Sequence, residues 1–143
     1  MAHLTLSGRV YLDTNIFIYA LEGYSTFRAV LTTLFAALDR GDLVAVTSDD
    51  AGGGVGQTAA RHHAERQAAY LQVLQPSTSL HMAPVSREVL IAAARLRAET
   101  GLKLPDAIHA ATAQLTGCDQ FLTNDARIPA LPGGLAIRRL SDL

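Results

Sequence analysis

The sequence predicts an α/β domain built on a mostly parallel sheet. Short apolar runs of strand length alternate with longer segments of helical period, the pattern of βαβ units. Helix stops recur between them, at Gly41, Pro76, Gly101 and Gly117. With 143 residues and no linker, repeat or low-complexity tail, residues 1–143 read as one domain with room for a sizeable core.

The elements follow in order. Residues 9–12 form a first strand. Ile16, Phe17, Ile18, Tyr19, Ala20 and Leu21 come next and are apolar nearly all round, which fits a buried helix over the sheet. Ser25 is placed to cap a second helix running to Leu38, with Val30, Leu31, Leu34, Phe35 and Leu38 on one face. Residues 43–46 are a second strand. Residues 59–74 read as a helix stopped by Pro76, and residues 80–83 as a third strand. Ser86 starts a helix to Glu99, with Glu88 close to a capping-box position. Pro105 opens the next helix, residues 106–115. Residues 120–122 and 135–138 are the last two strands. One segment breaks the pattern: residues 51–56 hold four of the eleven glycines and have no helical period.

Composition narrows the function. Apolar residues make up 49% and charged residues 17%, with a net charge of −1, so the chain is globular and carries no overall basic signal for nucleic acid. The single cysteine, Cys118, excludes an internal disulfide framework and a cysteine-based metal cluster. No secretory signal and no bilayer-length apolar run is present, so a soluble, cytoplasmic protein is expected. No phosphate-binding glycine loop, dinucleotide fingerprint or serine-nucleophile elbow is found.

What remains is a set of acids at element ends. Asp13 follows the first strand, Asp106 opens a helix, and Asp125 follows the fourth strand. Each has an ordinary structural use, as a helix cap, a first-turn acid or a turn residue. In a parallel sheet, however, all three fall on the edge where strands end and helices begin, the edge where ligands bind. Acids gathered there repel one another unless a cation lies between them. Carboxylates and water suit Mg²⁺ or Mn²⁺, so Asp13, Asp106 and Asp125 are expected to be the catalytic acids and to hold one or two such ions, hydrolysing phosphodiesters by lowering the pKa of bound water. Because the net charge is nearly neutral, local arginines such as Arg127 are expected to contact phosphate. His109, three residues beyond Asp106 on the same helical face, is placed either to orient an acid or to pack.

Leu12-Asp13-Thr14-Asn15, Leu104-Pro105-Asp106-Ala107-Ile108-His109 and Leu122-Thr123-Asn124-Asp125 together resemble the PIN-domain family, in particular the short bacterial VapC-type toxins of toxin–antitoxin pairs. The resemblance covers nearly the whole chain. It implies a three-layer α/β/α sandwich, Mg²⁺-dependent endoribonuclease activity on RNA, a homodimer and a cognate antitoxin. It makes Asp13 and Asp106 metal ligands, Asp125 a further site acid, and Asn15 and Asn124 contacts to the ligands or the substrate.

The chain departs from the family at the second acid. There the family pattern has a helix opening like Thr-Leu-Ala-Glu-Val, and this chain has Gly53 or Gly54. Asp49 and Asp50 lie upstream. One choice of codons for residues 50–61, read one nucleotide on, gives Thr-Leu-Ala-Glu-Val-Leu-Val-Lys-Pro-Leu-Arg, the missing helix with its glutamate. A reading-frame slip over roughly residues 49–63 is therefore expected, in the gene or in its recorded sequence. Two competing readings follow. A PIN-type protein lacking one acid would bind antitoxin or RNA without cutting. A receiver- or dehalogenase-type phosphoryl-transfer domain also uses strand-end aspartates, but it needs a lysine near the phosphate after a strand, and the single lysine, Lys103, precedes a helix instead.

Overall fold

The structure is a computed structural model and describes residues 6–23, 25–48 and 79–143. Elements are numbered within those residues. The glycine run, Asp49, Asp50 and the helix expected over residues 59–74 lie outside them.

The chain begins with β1 (Gly8–Leu12), α1 (Thr14–Glu22), a 3₁₀ turn (Ser25–Phe27), α2 (Arg28–Asp39), β2 (Leu43–Ser48) and β3 (Leu80–Ala83). It continues with α3 (Arg87–Thr100), α4 (Leu104–Leu115), β4 (Gln120–Thr123), β5 (Ala136–Arg139) and a final 3₁₀ turn (Leu140–Asp142). The strands form one sheet in the order β3-β2-β1-β4-β5, and every pairing is parallel. The sheet therefore grows outward from β1 in both directions. The gap between the carboxyl ends of β1 and β4 is the point where strand order reverses, where ligands of open α/β sheets bind.

Alternation along the strands makes the three layers. Val10, Leu12, Ala45 and Leu122 face one way and join Ile16, Phe17, Leu31, Leu34 and Leu38 of α1 and α2 in one core. Tyr11, Val46 and Phe121 face the other way and join Val89, Ala93 and Leu96 of α3 and Ala107, Ile108, Ala110 and Ala111 of α4. Side chains of period two thus feed both helix layers. α4 is buried from Ala107 through Ala113. Its alanines let the backbone lie close to the sheet.

Local chemistry explains the element ends. Ser86 caps α3 by accepting from the Val89 N–H at 3.2 Å. Glu88 is one residue too early to complete a capping box, which needs its acid at Val89. Gly101 ends α3 in the left-handed region (φ 74°), where a side chain is disfavoured. Ser25 does not cap α2. It opens the 3₁₀ turn, and α2 starts at Arg28 without a side-chain cap. Within α1 only Ile16 and Phe17 are buried, while Ile18 to Leu21 are half-buried against the core. The large apolar side chains left exposed among the described residues are Leu90, Ile91, Leu104 and Leu115, on α3 and α4. No helix among the described residues is long and apolar enough to cross a membrane.

Candidate active site at the β1–β4 switch point

The parallel ladder runs one residue past β1. The Asp13 N–H donates to the Leu122 carbonyl at 3.0 Å, which fixes Asp13 at the strand end with its backbone extended and its side chain buried. Its two oxygens have separate duties. Oδ1 accepts from the Thr14 N–H at 2.7 Å and caps α1. Oδ2 accepts from the Thr123 hydroxyl at 2.7 Å. A carboxylate offers about four lone-pair sites, so both oxygens retain capacity for a further partner.

Thr123 ends β4 with no exposure and organises the gap. Its Oγ1 donates to Asp13, accepts from the Asp125 N–H at 3.0 Å, and lies 3.5 Å from Asn15 Nδ2. Its role was not read from the sequence. The only signal for it was its position immediately before Asn124 and Asp125. Asn15 Oδ1 is buried and has no partner among the described residues. A buried acceptor without a donor is costly and points to a missing hydrogen-bonding group.

Asp106 lies in the first turn of α4. Burial raises its carboxyl above the usual carboxylate range, and the nearby charges of Asp13 and Asp125 push the same way, while His109 and Arg127 oppose them. The three acids expected from sequence therefore share one electrostatic neighbourhood at the carboxyl edge. Asp125 is the outer member. Arg127 grips it with Nε and Nη2, each at 2.9 Å, and that bonding holds its carboxyl below the usual range. Arg127 itself is 76% exposed in its side chain and reaches the edge, but two of its donors already face Asp125. Asn124 turns its Oδ1 to the Ser141 N–H at 3.3 Å, tying the loop to the final 3₁₀ turn.

Among the described residues no three His, Cys, Asp or Glu side chains close into a metal cage. The donor set instead fits a cation that keeps much of its water. Mg²⁺ is commonly bound through one or two carboxylates and several waters. Asp13 and Asp106 could supply the carboxylates, a cation would favour ionisation of Asp106, and the unpartnered Asn15 Oδ1 could accept from a water on such an ion.

The PIN domain family model matches residues 10–134. Among solved structures, VapBC2 from Rickettsia felis bound to a DNA fragment from their promoter matches with TM-score 0.70 and 16% identity, covering 92% of this chain and 98% of that one. A toxin–antitoxin complex from Klebsiella pneumoniae matches with TM-score 0.67 and 24% identity, covering 89% and 95%. VapC20 of Mycobacterium tuberculosis, a sarcin–ricin loop cleaving toxin, matches with TM-score 0.62 and 16% identity, covering 78% and 86%. A search of curated proteins finds no match. The matched model spans most of the chain and takes in β1, the helix that opens with Asp106, and the loop after β4, so the chain belongs to the PIN-domain family.

Proposed function

We propose that this protein is a Mg²⁺- or Mn²⁺-dependent endoribonuclease and the toxin of a toxin–antitoxin pair. The observation that carries the reading is the meeting of Asp13 and Asp106 at the β1–β4 switch point, with the Asp106 carboxyl raised by burial and by its acidic neighbours. The similar solved structures add the context, since one is a toxin–antitoxin complex, one a VapBC assembly, and one a sarcin–ricin loop cleaving toxin.

When bound, the metal lowers the pKa of its water and screens charge on the scissile phosphate. The chain's own residues do the rest. Asp13, fixed by Thr14 and Thr123, and Asp106 would hold the ion, with Asp125 as the further acid of the site. Asn15 Oδ1 accepts from a bound water. Arg127 faces the incoming phosphate from the rim while its fork on Asp125 keeps that acid ionised. Asn124, fixed on Ser141, lines the approach of the RNA strand. The antitoxin and a second copy of the chain are the protein partners, and the exposed Leu90, Ile91, Leu104 and Leu115 offer apolar surface to them.

The test is calorimetric titration of Mn²⁺ into wild type and Asp13→Asn, followed by cleavage of a structured RNA with and without chelator. Metal binding and chelator-sensitive cleavage in wild type, both lost in Asp13→Asn, are the expected results. Cleavage that persists in chelator would end this reading. Metal binding without cleavage would favour the impaired, binding-only protein, because a glycine stands where the family pattern places its second acid.

A further inference from the structure

Behind Asp13 runs a buried polar chain that the proposed reaction does not use. Tyr11 is fully buried. Its ring stacks on Phe121, with centroids 5.1 Å apart and planes at 9°, and meets the His109 ring edge-on at 5.6 Å. The Tyr11 hydroxyl lies 2.5 Å from His109 Nδ1. On the far side of the imidazole, Nε2 is 3.2 Å from Thr14 Oγ1 and 4.0 Å from Asp13 Oδ1.

The carboxylate at Nε2 orients this chain. Asp13 Oδ1, 4.0 Å from Nε2, favours a ring proton on that nitrogen. That leaves Nδ1 as the acceptor of the Tyr11 hydroxyl. A neutral imidazole that accepts at Nδ1 carries its own proton on Nε2, and that N–H faces Thr14 Oγ1 and the Asp13 carboxylate. The opposite tautomer would set a ring lone pair against a carboxylate 4.0 Å away. Packing against Phe121 prevents the tyrosine from swinging out, and His109 itself is only 4% exposed.

We infer that Tyr11 and His109 form a positioning relay, which locks His109 as the Nε2–H tautomer and so fixes Thr14 and the Asp13 carboxylate in the orientation that receives the cation. The relay rests on the metal-site reading above, and His109 acts through Asp13. Outer partners of metal ligands commonly change metal affinity about 10–100-fold when removed.

The experiment has two arms on the full chain. Nitrogen–proton correlation NMR on metal-free wild type at about pH 8, where an ordinary imidazole is neutral, reads the His109 tautomer directly. Mn²⁺ titration then compares wild type, Tyr11→Phe, His109→Asn and His109→Gln. Glutamine places an N–H near the Nε2 position, whereas asparagine reaches only the Nδ1 position. Expected are an Nε2–H tautomer in wild type and binding weakened about tenfold or more in Tyr11→Phe and His109→Asn. His109→Gln should stay within about threefold of wild type, well short of the tenfold loss of an outer partner. An Nδ1–H tautomer in wild type overturns the relay and leaves the metal site standing. So does His109→Gln binding as weakly as His109→Asn, or Tyr11→Phe and His109→Asn both binding as wild type. A wild type that binds no Mn²⁺ defeats the metal site and removes the relay's purpose with it. The tautomer needs no variant, so a mutant that fails to fold leaves that arm intact.

Discussion

Thr123→Val is the sharpest perturbation of the candidate site. Valine keeps the shape of threonine and deletes only the hydroxyl. That hydroxyl donates to the Asp13 carboxylate at 2.7 Å and accepts from the Asp125 N–H at 3.0 Å, at a position with no solvent exposure. A hydrogen bond to a charged acceptor contributes about 1.5–3 kcal/mol, and a buried amide left without a partner costs about 1–3 kcal/mol. The variant should therefore lose about 2.5–6 kcal/mol. In a domain of this size that is roughly a 10–20 °C fall in the melting temperature. Thr123→Ser keeps the hydroxyl and gives up one methyl group, at a cost of about 1 kcal/mol. Thermal unfolding followed by circular dichroism in chelator measures both without metal. A Thr123→Val melt within about 3 °C of wild type, under the shift that a 1 kcal/mol loss gives, would refute the reasoning. So would a Thr123→Ser that falls as far as Thr123→Val.

Three further outcomes are expected. Asp106 has a folded-state pKa raised first by burial and then by Asp13 and Asp125, so its ionised form is penalised in the fold. Its contribution is favourable in acid and is lost as pH rises through the folded pKa. Metal-free Asp106→Asn should match wild type near pH 4, melt higher near pH 7, and bind no Mn²⁺; a lower melt at neutral pH refutes this. Gly8→Ala should cost about 2–3 kcal/mol, because Gly8 has φ 69° and an added Cβ would lie 2.3 Å from Asp119 Oδ2, the oxygen that accepts from the Arg9 N–H; chemical denaturation checks it. Replacing residues 51–61 by Thr-Leu-Ala-Glu-Val-Leu-Val-Lys-Pro-Leu-Arg should tighten Mn²⁺ binding about tenfold or more if that glutamate is the missing ligand; unchanged binding in a folded variant argues against the frame slip.

Most of the fold was legible because the strands and helices carry their own punctuation. Gly101 marks the end of α3 and Pro105 the start of α4, and the apolar run ending at Leu12 marks the first strand. The start of α2 was misread, since Ser25 is a good cap by composition and the chain spends it on a 3₁₀ turn. Site acids were legible from their place at element ends. Thr123 and Tyr11 as working members were not, nor was the acid that His109 meets, because each joins residues about a hundred positions apart, and local pattern carries no record of such contacts.

The two uses of Asp13 do not compete. As a cap it spends one lone pair of Oδ1 on Thr14, and as the partner of Thr123 it spends one of Oδ2. Both bonds restrict the carboxylate's rotation, and both leave a lone pair on the same oxygen. The ordinary structural duty of a strand-end aspartate is thus what would preorganise it for the proposed cation. Asp125 differs. Its two oxygens face a guanidinium that no helix start required, so it keeps its charge at the rim while Asp106 resists ionisation inside. On the proposed reading, a cation entering this gap would meet one fixed carboxylate and one that gains ionisation from its arrival, with the Arg127-held Asp125 beside them. That graded arrangement is what three evenly exposed aspartates on a surface would lack.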